Sequence, residues 1–210
     1  MRLVLLGAPG AGKGTQADIL SRRLSIPVIS TGNILREAMR NETELGQQAK
    51  NFVESGLLVP DSLIIGILKE RIEKEDCIDG FILDGVPRTI AQADAITEMG
   101  IQIDKAISIE IDDDVIVRRM TGRRICSNCG MTFHTDHNPP KSEEKCDGCD
   151  SPLEIRNDDK PETVVERLRV YHELTEPLKS YYKRTGRLRS VEGSAPIEEI
   201  TREILSVLEK

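Results

Sequence analysis

Gly7-Ala8-Pro9-Gly10-Ala11-Gly12-Lys13-Gly14-Thr15 is a glycine-rich segment with a lysine near its end. It follows the apolar run 3–6, which predicts a buried strand, and it precedes residues 16–24, which predict a helix. A glycine-rich turn between a strand and a helix lets consecutive backbone N–H groups point inward and bind phosphate oxygens. The N-terminus of the helix adds partial positive charge, and Lys13 adds a full one. The segment therefore predicts a nucleoside triphosphate site.

The spacing Gly7-x4-Gly12-Lys13 fits the phosphate-loop pattern with one departure. The strict pattern has a serine or threonine directly after the lysine, whereas here Gly14 comes between Lys13 and Thr15. This departure indicates a subclass of phosphate loop. The alternative is a glycine-rich turn with a solvated lysine, which the strand-then-helix context disfavours.

The composition describes an acidic chain whose core must be mainly aliphatic. Its 210 residues carry a formal net charge of −7, with 38% hydrophobic residues, 3% aromatic residues and no tryptophan. Such acidity argues against a general nucleic-acid-binding protein, which usually has a basic surface. The first apolar run is too short for a signal peptide, and no run approaches the roughly 18 apolar residues of a membrane helix. We therefore expect a cytoplasmic protein with no membrane partner and with reduced cysteines.

Five short apolar runs predict the strands of one sheet: residues 3–6, 28–30, 81–84, 106–110 and 188–191. Helical patterns separate them, which is typical of a mostly parallel sheet covered on both faces. The predicted fold is α/β, a P-loop NTPase fold with a five-stranded parallel sheet flanked by helices and two insertions. The predicted core comprises residues 1–29, 60–121 and 160–210, and the insertions are residues 30–59 and 122–159.

Local patterns predict details of the helices around this sheet. Ser30 or Thr31 is expected to cap the helix that follows the second strand. After the second insertion, apolar residues recur at helical spacing, and the long helix they predict should bend at Pro177. The residues on its buried face would be Val164, Leu168, Tyr171, Leu174 and Leu178.

Cys126-Ser127-Asn128-Cys129 and Cys146-Asp147-Gly148-Cys149 are two C-x2-C pairs with 16 residues between them. This spacing predicts a zinc ion bound by Cys126, Cys129, Cys146 and Cys149, and four protein ligands make it structural rather than catalytic. The alternatives are an iron–sulfur or redox-disulfide site, or unbound thiols. His134 and His137 in the spacer are expected at the surface, and Cys77 is expected to be a small buried apolar residue.

Arginines and carboxylates at strand ends and insertion boundaries are further candidates. Phosphoryl transfer depends on positive charge around phosphate oxygens, although most single arginines are solvated surface groups. Asp84 ends an apolar strand, as does the acid that helps to hold magnesium in phosphate-loop enzymes; the alternative is a turn cap before Gly85. Asp158 and Asp159 would either cap the helix near Pro161 or serve the site. The candidate arginines are Arg36, Arg88, Arg119, Arg123, Arg156 and Arg167.

Further motifs follow the glycine-rich segment in order: Ser-Thr-Gly (30–32), Gly-Leu-Leu-Val-Pro-Asp (56–61), Asp-Gly-Val-Pro-Arg-Thr (84–89) with Gln92, Thr-Gly-Arg-Arg-Ile-Cys (121–126), Arg-Asn-Asp-Asp (156–159) and Arg-Leu-Arg-Val-Tyr-His (167–172). With the two cysteine pairs, they make essentially the whole chain resemble the adenylate kinases that carry a zinc-binding lid. One departure is Val86, where the family usually has an aromatic residue. A smaller side chain there would affect how tightly and how selectively the base of the monophosphate is bound.

The resemblance implies Mg²⁺-dependent phosphoryl transfer from ATP to AMP to give two ADP, by a monomer with no nucleic-acid partner. Residues 30–59 would form the AMP-binding insertion and residues 122–159 the zinc-binding lid. By the same resemblance, the residues binding ATP would be Gly10, Ala11, Gly12, Lys13, Gly14, Thr15, Arg119, Arg123, Thr132, Phe133 and Ala195. Those binding AMP would be Thr31, Arg36, Leu57, Leu58, Val59, Gly85, Val86, Pro87, Arg88, Gln92, Arg156 and Arg167. The catalytic set would be Lys13, Asp84, Arg88, Arg119, Arg123, Arg156 and Arg167.

Other function classes remain as alternatives at this point. A kinase for UMP or CMP would share the phosphate chemistry, although Thr31 and Gln92 favour adenine by resemblance. A GTPase lacks support because the chain has no Asn-Lys-x-Asp segment. A zinc-ribbon module for nucleic acid is the non-enzyme alternative, and the net charge argues against it, as does a cysteine spacer with only Lys141 and Lys145 as cations.

Overall fold

The computed structural model describes residues 1–136, 138–142 and 144–209, so His137 lies outside the described residues. In chain order the strands and helices are β1 (Arg2–Leu6), α1 (Lys13–Leu24), β2 (Val28–Ser30), α2 (Thr31–Arg40), α3 (Glu44–Glu54), α4 (Asp61–Ile72), β3 (Phe81–Asp84), α5 (Ile90–Glu98), β4 (Lys105–Glu110), α6 (Asp113–Gly122), β5 (Arg123–Cys126), β6 (Thr132–His134), β7 (Leu153–Glu154), α7 (Pro161–Val170), α8 (Pro177–Arg184), β8 (Leu188–Glu192) and α9 (Ile197–Leu208).

A five-stranded parallel sheet in the order β2-β3-β1-β4-β8 forms the core. β1 lies at its centre, and Leu3 and Val4, which point to opposite faces, are both fully buried. Helices cover both faces of such a sheet, so its strands are continuously apolar rather than alternating. The predicted strands and the predicted fold class are therefore confirmed.

The carboxyl ends of β1, β2 and β3 lie side by side at one edge of the sheet. In open parallel sheets this edge is where ligands bind. β2 continues directly into α2, and Ser30 takes the N-cap position as predicted, although its side chain does not bond to the first turn. Ser30 makes no capping bond, because its hydroxyl donates to Asp84 Oδ2 (3.3 Å), while the Thr31 hydroxyl donates to Gly85 O (2.9 Å). Both hydroxyls thus tie α2 to the turn after β3.

A second sheet, antiparallel and in the order β6-β5-β7, lies within residues 122–159. Sequence patterns did not predict these short strands. The buried apolar residues around this sheet are few: Cys126, Phe133 and Cys146 form one small cluster. A segment with so little apolar surface to bury depends on a cross-link for its stability.

The helix after the second sheet is interrupted before the predicted bend at Pro177. A π-helical turn spans Tyr171–Thr175, between α7 and α8. Its wider turn shifts the buried face, so Leu174 is 41% exposed while Thr175 is buried and donates its hydroxyl to Arg88 O (2.8 Å). The prediction that Leu174 shares the buried face is therefore wrong. Among the described residues, no helix is long and apolar enough to cross a membrane.

Because of the π turn, we expect substitutions of two leucines to have different effects on stability, although a regular helix would place both leucines on one face. Leu178 is fully buried, so Leu178→Ala should lower the free energy of unfolding by about 2–5 kcal/mol. Leu174→Ala, the matched control, should change it by less than about 0.5 kcal/mol. Urea unfolding measures both, and equal losses would contradict the shifted face.

Candidate active site

The loop between β1 and α1 ends at an uncapped helix N-terminus. Gly12, the N-cap, has φ of 92°, a conformation that residues with side chains rarely adopt. No side chain caps α1, and its first turn contains no acidic residue. The first N–H groups of α1 are therefore directed at a space that suits an anion.

Lys13 lies over this loop. Its Nζ donates to Gly7 O (2.7 Å) and to Ala8 O (2.8 Å). Burial lowers the pKa of Lys13 to about 8; the Asp84 carboxylate opposes this shift, and the Arg88 and Arg167 guanidinium groups add to it. A bound polyphosphate would stabilise the charged form, because it brings negative charge within reach of the ammonium group.

Five of the predicted arginines lie within electrostatic reach of one another beside Lys13. Burial is the main cause that lowers the pKa of four of them, and repulsion between the guanidinium groups adds to it in each case. Within the described residues, the Nε of Arg156 is buried with no hydrogen-bond partner. Such a cluster suits a multiply charged anion. The five residues are Arg36, Arg88, Arg123, Arg156 and Arg167.

Asp158 and Asp159 supply part of the compensating charge. Arg123 pairs with Asp159 through both ends of its guanidinium group, with Nε 2.7 Å from Oδ2. Arg167 NH1 lies 2.8 Å from Asp158 Oδ2 and 3.2 Å from Asp159 Oδ1. Neither carboxylate caps α7, whose N-cap is Lys160, so the capping interpretation is wrong. The one sequence signal near them was Arg156, two residues before Asp158, and it did not reveal the pairing with Arg123 and Arg167.

Two adjoining clefts meet at the arginine cluster. The first, of about 570 Å³, is lined by Thr31, Arg36 and Gln92 and by the predicted residues Leu57, Leu58, Val59 and Gly85. The second, of about 530 Å³, is lined by Gly7, Lys13 and Pro87. Arg88 and Arg167 line both clefts. Two cationic side chains therefore stand where groups bound in the two clefts would meet.

The four cysteines of the C-x2-C pairs converge in the smaller sheet. Their sulfur atoms all lie within 4.8 Å of one another, and the Sγ separations are 3.4 Å for Cys126–Cys149 and 3.4 Å for Cys129–Cys146. Backbone N–H groups of Cys129 and Gly148 point at the sulfurs of Cys126 and Cys146, at 3.5 and 3.4 Å. Such a closed set of four sulfurs suits one tetrahedral metal ion.

Comparison with known proteins agrees with this geometry. Residues 5–187 match the adenylate kinase family. The chain is 56% identical to the adenylate kinase of Caldicellulosiruptor bescii, across 99% of both chains. It is 50% identical to those of Acetivibrio thermocellus, across 99% of this chain and 98% of the relative, and Archaeoglobus fulgidus, across 100% and 99%.

The chain belongs to the adenylate kinase family. It is accordingly a phosphotransferase that acts on nucleotides, and its five-stranded parallel sheet is the core of that family's fold.

Three residues that the resemblance assigns to nucleotides have side chains that pack in apolar clusters. Val86 is 1% exposed and belongs to the same apolar cluster as Leu35 and Val59, which line the first cleft, whereas Val86 itself lines neither cleft. Phe133 is buried in the core of the smaller sheet, which leaves its main chain to meet ATP. Ala195 packs against the main core beyond β8. Their predicted nucleotide contacts stay predictions.

Asp84 and Arg119 lie on different elements: Asp84 ends β3, and Arg119 lies on α6. Asp84 ends β3 beside the loop, where a Cβ on Gly14 would lie 3.7 Å from Asp84 Oδ2. Arg119, on α6, is half-buried; burial lowers its pKa, and the carboxylate of Glu192 at the end of β8 opposes the shift.

Cys77 is buried as predicted, and His134 is partly exposed.

The lowered pKa of Lys13 predicts how Lys13→Met changes stability. Below pH 8 the folded protein carries a buried charge that the unfolded chain holds in water, so removing it should raise Tm by roughly 2–4 °C, the equivalent of about 1 kcal/mol. Between pH 8 and 10.5 the folded wild type loses this proton at a lower pH than the unfolded chain does, so the wild type gains stability as the pH rises. The difference in Tm between Lys13→Met and the wild type should therefore shrink. Calorimetry at pH 7 and pH 10 measures this, with Lys50→Met on the exposed face of α3 as control. A lower Tm for Lys13→Met at pH 7 would contradict it.

Proposed function

We propose that this protein catalyses the reversible transfer of a phosphoryl group from ATP to AMP, giving two ADP, and so maintains the balance of adenine nucleotides. The main observation in support of this proposal is that two adjoining clefts share Arg88 and Arg167. Lys13 stands in one cleft, and Thr31, Arg36 and Gln92 line the other. ATP would bind at the glycine-rich loop and AMP in the first cleft.

The chemistry is a direct in-line transfer. An oxygen of the AMP phosphate forms a bond to the γ-phosphorus of ATP while the bond from that phosphorus to the β–γ bridging oxygen breaks. Lys13 and the loop N–H groups would hold the triphosphate, and Arg88 and Arg167 would neutralise charge on the transferred group. No covalent intermediate and no protein base is needed.

The other arginines have proposed places around the same reaction. Arg36 would hold the AMP phosphate, and Arg156 would bind it through its unpartnered Nε. Arg119 and Arg123 would contact ATP from α6 and from the start of the lid. Thr132, Phe133 and Ala195 would add contacts to ATP, and Leu57, Leu58, Val59 and Gly85 would complete the AMP site. Val86 would support the AMP site from the apolar core, and Pro87 would border it from the second cleft.

Magnesium is the proposed cofactor of ATP. Asp84 and Thr15 would hold it, because a carboxylate at the end of β3 stands beside the start of α1 and offers the oxygen ligands that Mg²⁺ prefers. Bound there, Mg²⁺ would neutralise phosphate charge during transfer.

Zinc is the proposed ion for the four cysteines. Thiolate ligands in a closed tetrahedral set favour Zn²⁺, which would brace the small apolar core around Phe133. Residues 122–159 would act as a lid, and residues 30–59 as the AMP-binding insertion. Arg40 of α2 donates to Ser127 O in the first cysteine loop, which supports closure of these two segments on each other. Closure would exclude water, the competing phosphoryl acceptor.

The remaining proposals concern the surroundings of the enzyme. We propose a cytoplasmic monomer whose partners are ATP, AMP and ADP, with no nucleic-acid or membrane partner. The net charge of −7 supports this, because polyanions and anionic membranes bind basic surfaces.

ADP formation from Mg-ATP, with AMP, CMP and UMP each offered alone, tests the function. We expect AMP to be preferred strongly, and Lys13→Met to lower kcat by about 10³-fold or more, because the variant would lack the positive charge that stabilises phosphates at the loop. Equal use of CMP or UMP would favour the alternative kinase, and near-normal turnover by Lys13→Met would contradict the proposed role of Lys13.

Metal content tests the zinc proposal. We expect one zinc per chain, and Cys129→Ser should lose it and lower Tm more than it lowers activity at low temperature, because structural zinc contributes about 10–16 kcal/mol of apparent binding energy to folding. Cys77→Ala is the matched control and should keep the zinc, since Cys77 lies in the main core. Iron in place of zinc, or lost activity with unchanged Tm, would overturn the proposal.

A further inference from the structure

We propose that Asp61 is a positioning residue that fixes the orientation of the Gln92 carboxamide and thereby makes the first cleft select a 6-amino purine over a 6-oxo purine. Asp61 is the first residue of α4, and neither the family patterns quoted above nor the proposed AMP site gives it a role toward the base. The inference rests on the proposed function, because it assigns the base of the monophosphate to Gln92.

Two hydrogen bonds hold the two ends of the Gln92 carboxamide. Its Nε2 donates to Asp61 Oδ1 at 2.7 Å, and its Oε1 accepts from the backbone N–H of Arg88 at 2.7 Å. The other carboxylate oxygen of Asp61 accepts from the Thr89 hydroxyl at 2.9 Å, and the Thr89 hydroxyl also accepts from the N–H of Gln92. Gln92 is 1% exposed and lines the first cleft, so the group is both fixed and buried at the ligand site.

These partners allow one orientation of the carboxamide. An ionised carboxylate only accepts hydrogen bonds, and a backbone N–H only donates. Rotating the Gln92 group by 180° would set its oxygen against the Asp61 carboxylate and its NH₂ against the Arg88 N–H. Both contacts would be repulsive and would leave buried polar atoms without partners.

The fixed orientation has a consequence for the base. After these two bonds, Gln92 keeps one N–H donor and one acceptor lone pair. Adenine offers an amino donor beside a ring-nitrogen acceptor, and a glutamine carboxamide pairs with such an edge through two hydrogen bonds. Hypoxanthine, the base of IMP, has a carbonyl and a ring N–H at positions 6 and 1, so the same carboxamide would meet oxygen with oxygen and N–H with N–H. A freely rotating Gln92 would accept either base.

AMP and IMP therefore form a matched pair of probes, since they differ only in this pattern of donors and acceptors. We would measure equilibrium binding of each by calorimetry, and kcat and KM for each with Mg-ATP, in the wild type, Asp61→Asn, Asp61→Ala and the control Ser62→Ala. Ser62 is the exposed neighbour of Asp61 on α4. Asp61→Asn keeps the volume of the side chain but adds a donor, so it no longer excludes the Gln92 oxygen.

We expect Asp61→Ala to reduce the ratio of AMP to IMP affinity by about tenfold, and Asp61→Asn to reduce it by a smaller factor, because sites built around hydrogen bonds lose discrimination when a partner is removed. KM for AMP should rise while KM for ATP and the affinity ratio of Ser62→Ala stay unchanged. An unchanged ratio of AMP to IMP affinity in both Asp61 variants would overturn the inference, as would an equal loss for AMP, IMP and ATP. Wild-type protein that forms no ADP from AMP would overturn the proposed function itself, and the inference with it.

Discussion

Concentrated positive charge at the end of a parallel sheet is the constraint on which the rest of this structure depends. Lys13 interacts with Arg88, Arg123 and Arg167, and Arg36 and Arg156 interact with these arginines in turn. Within the described residues, Asp84, Asp158 and Asp159 are the carboxylates that offset this charge. Removing cations from water is unfavourable, and crowding them adds repulsion. The folded state therefore carries an electrostatic cost that bound phosphates would relieve. In the proposed reaction, binding energy and the stabilisation of the transferred phosphoryl group would come from the same cations.

Three separate parts of the chain bring these cations together. Lys13 begins α1 and Arg88 follows β3, Arg36 lies on α2, and Arg123 and Arg156 flank the second sheet. The helices α2 and α3 share an apolar cluster with the core strands, whereas the second sheet has a small cluster of its own around its cysteines.

Local sequence patterns predicted most of the strands and helices but few of the side-chain contacts between them. The strands, the fold class and the cysteine cluster followed from apolar runs and from a spacing that depends on chain geometry alone. The errors lie where long-range contacts outweigh local preference. The Ser30 hydroxyl bonds to Asp84 instead of to the first turn of α2, Asp159 pairs with Arg123 instead of capping α7, and Leu174 turns outward at a π turn. In each case the partner is distant in sequence or depends on an inserted residue, so no local pattern could reveal it.

The sequence by itself determined the chemistry: a glycine-rich loop with Lys13, a set of arginines, and two cysteine pairs, because these depend on residue type and short spacing. Tertiary structure alone decided how the groups act together. It placed Arg88 and Arg167 on the boundary of two clefts and turned Val86 into the core. It also held Gln92 by Asp61, 31 residues away. The physical reason is that the direction of a hydrogen bond, the burial of a charge and the sharing of a cleft are properties of packed elements, which a linear pattern does not contain.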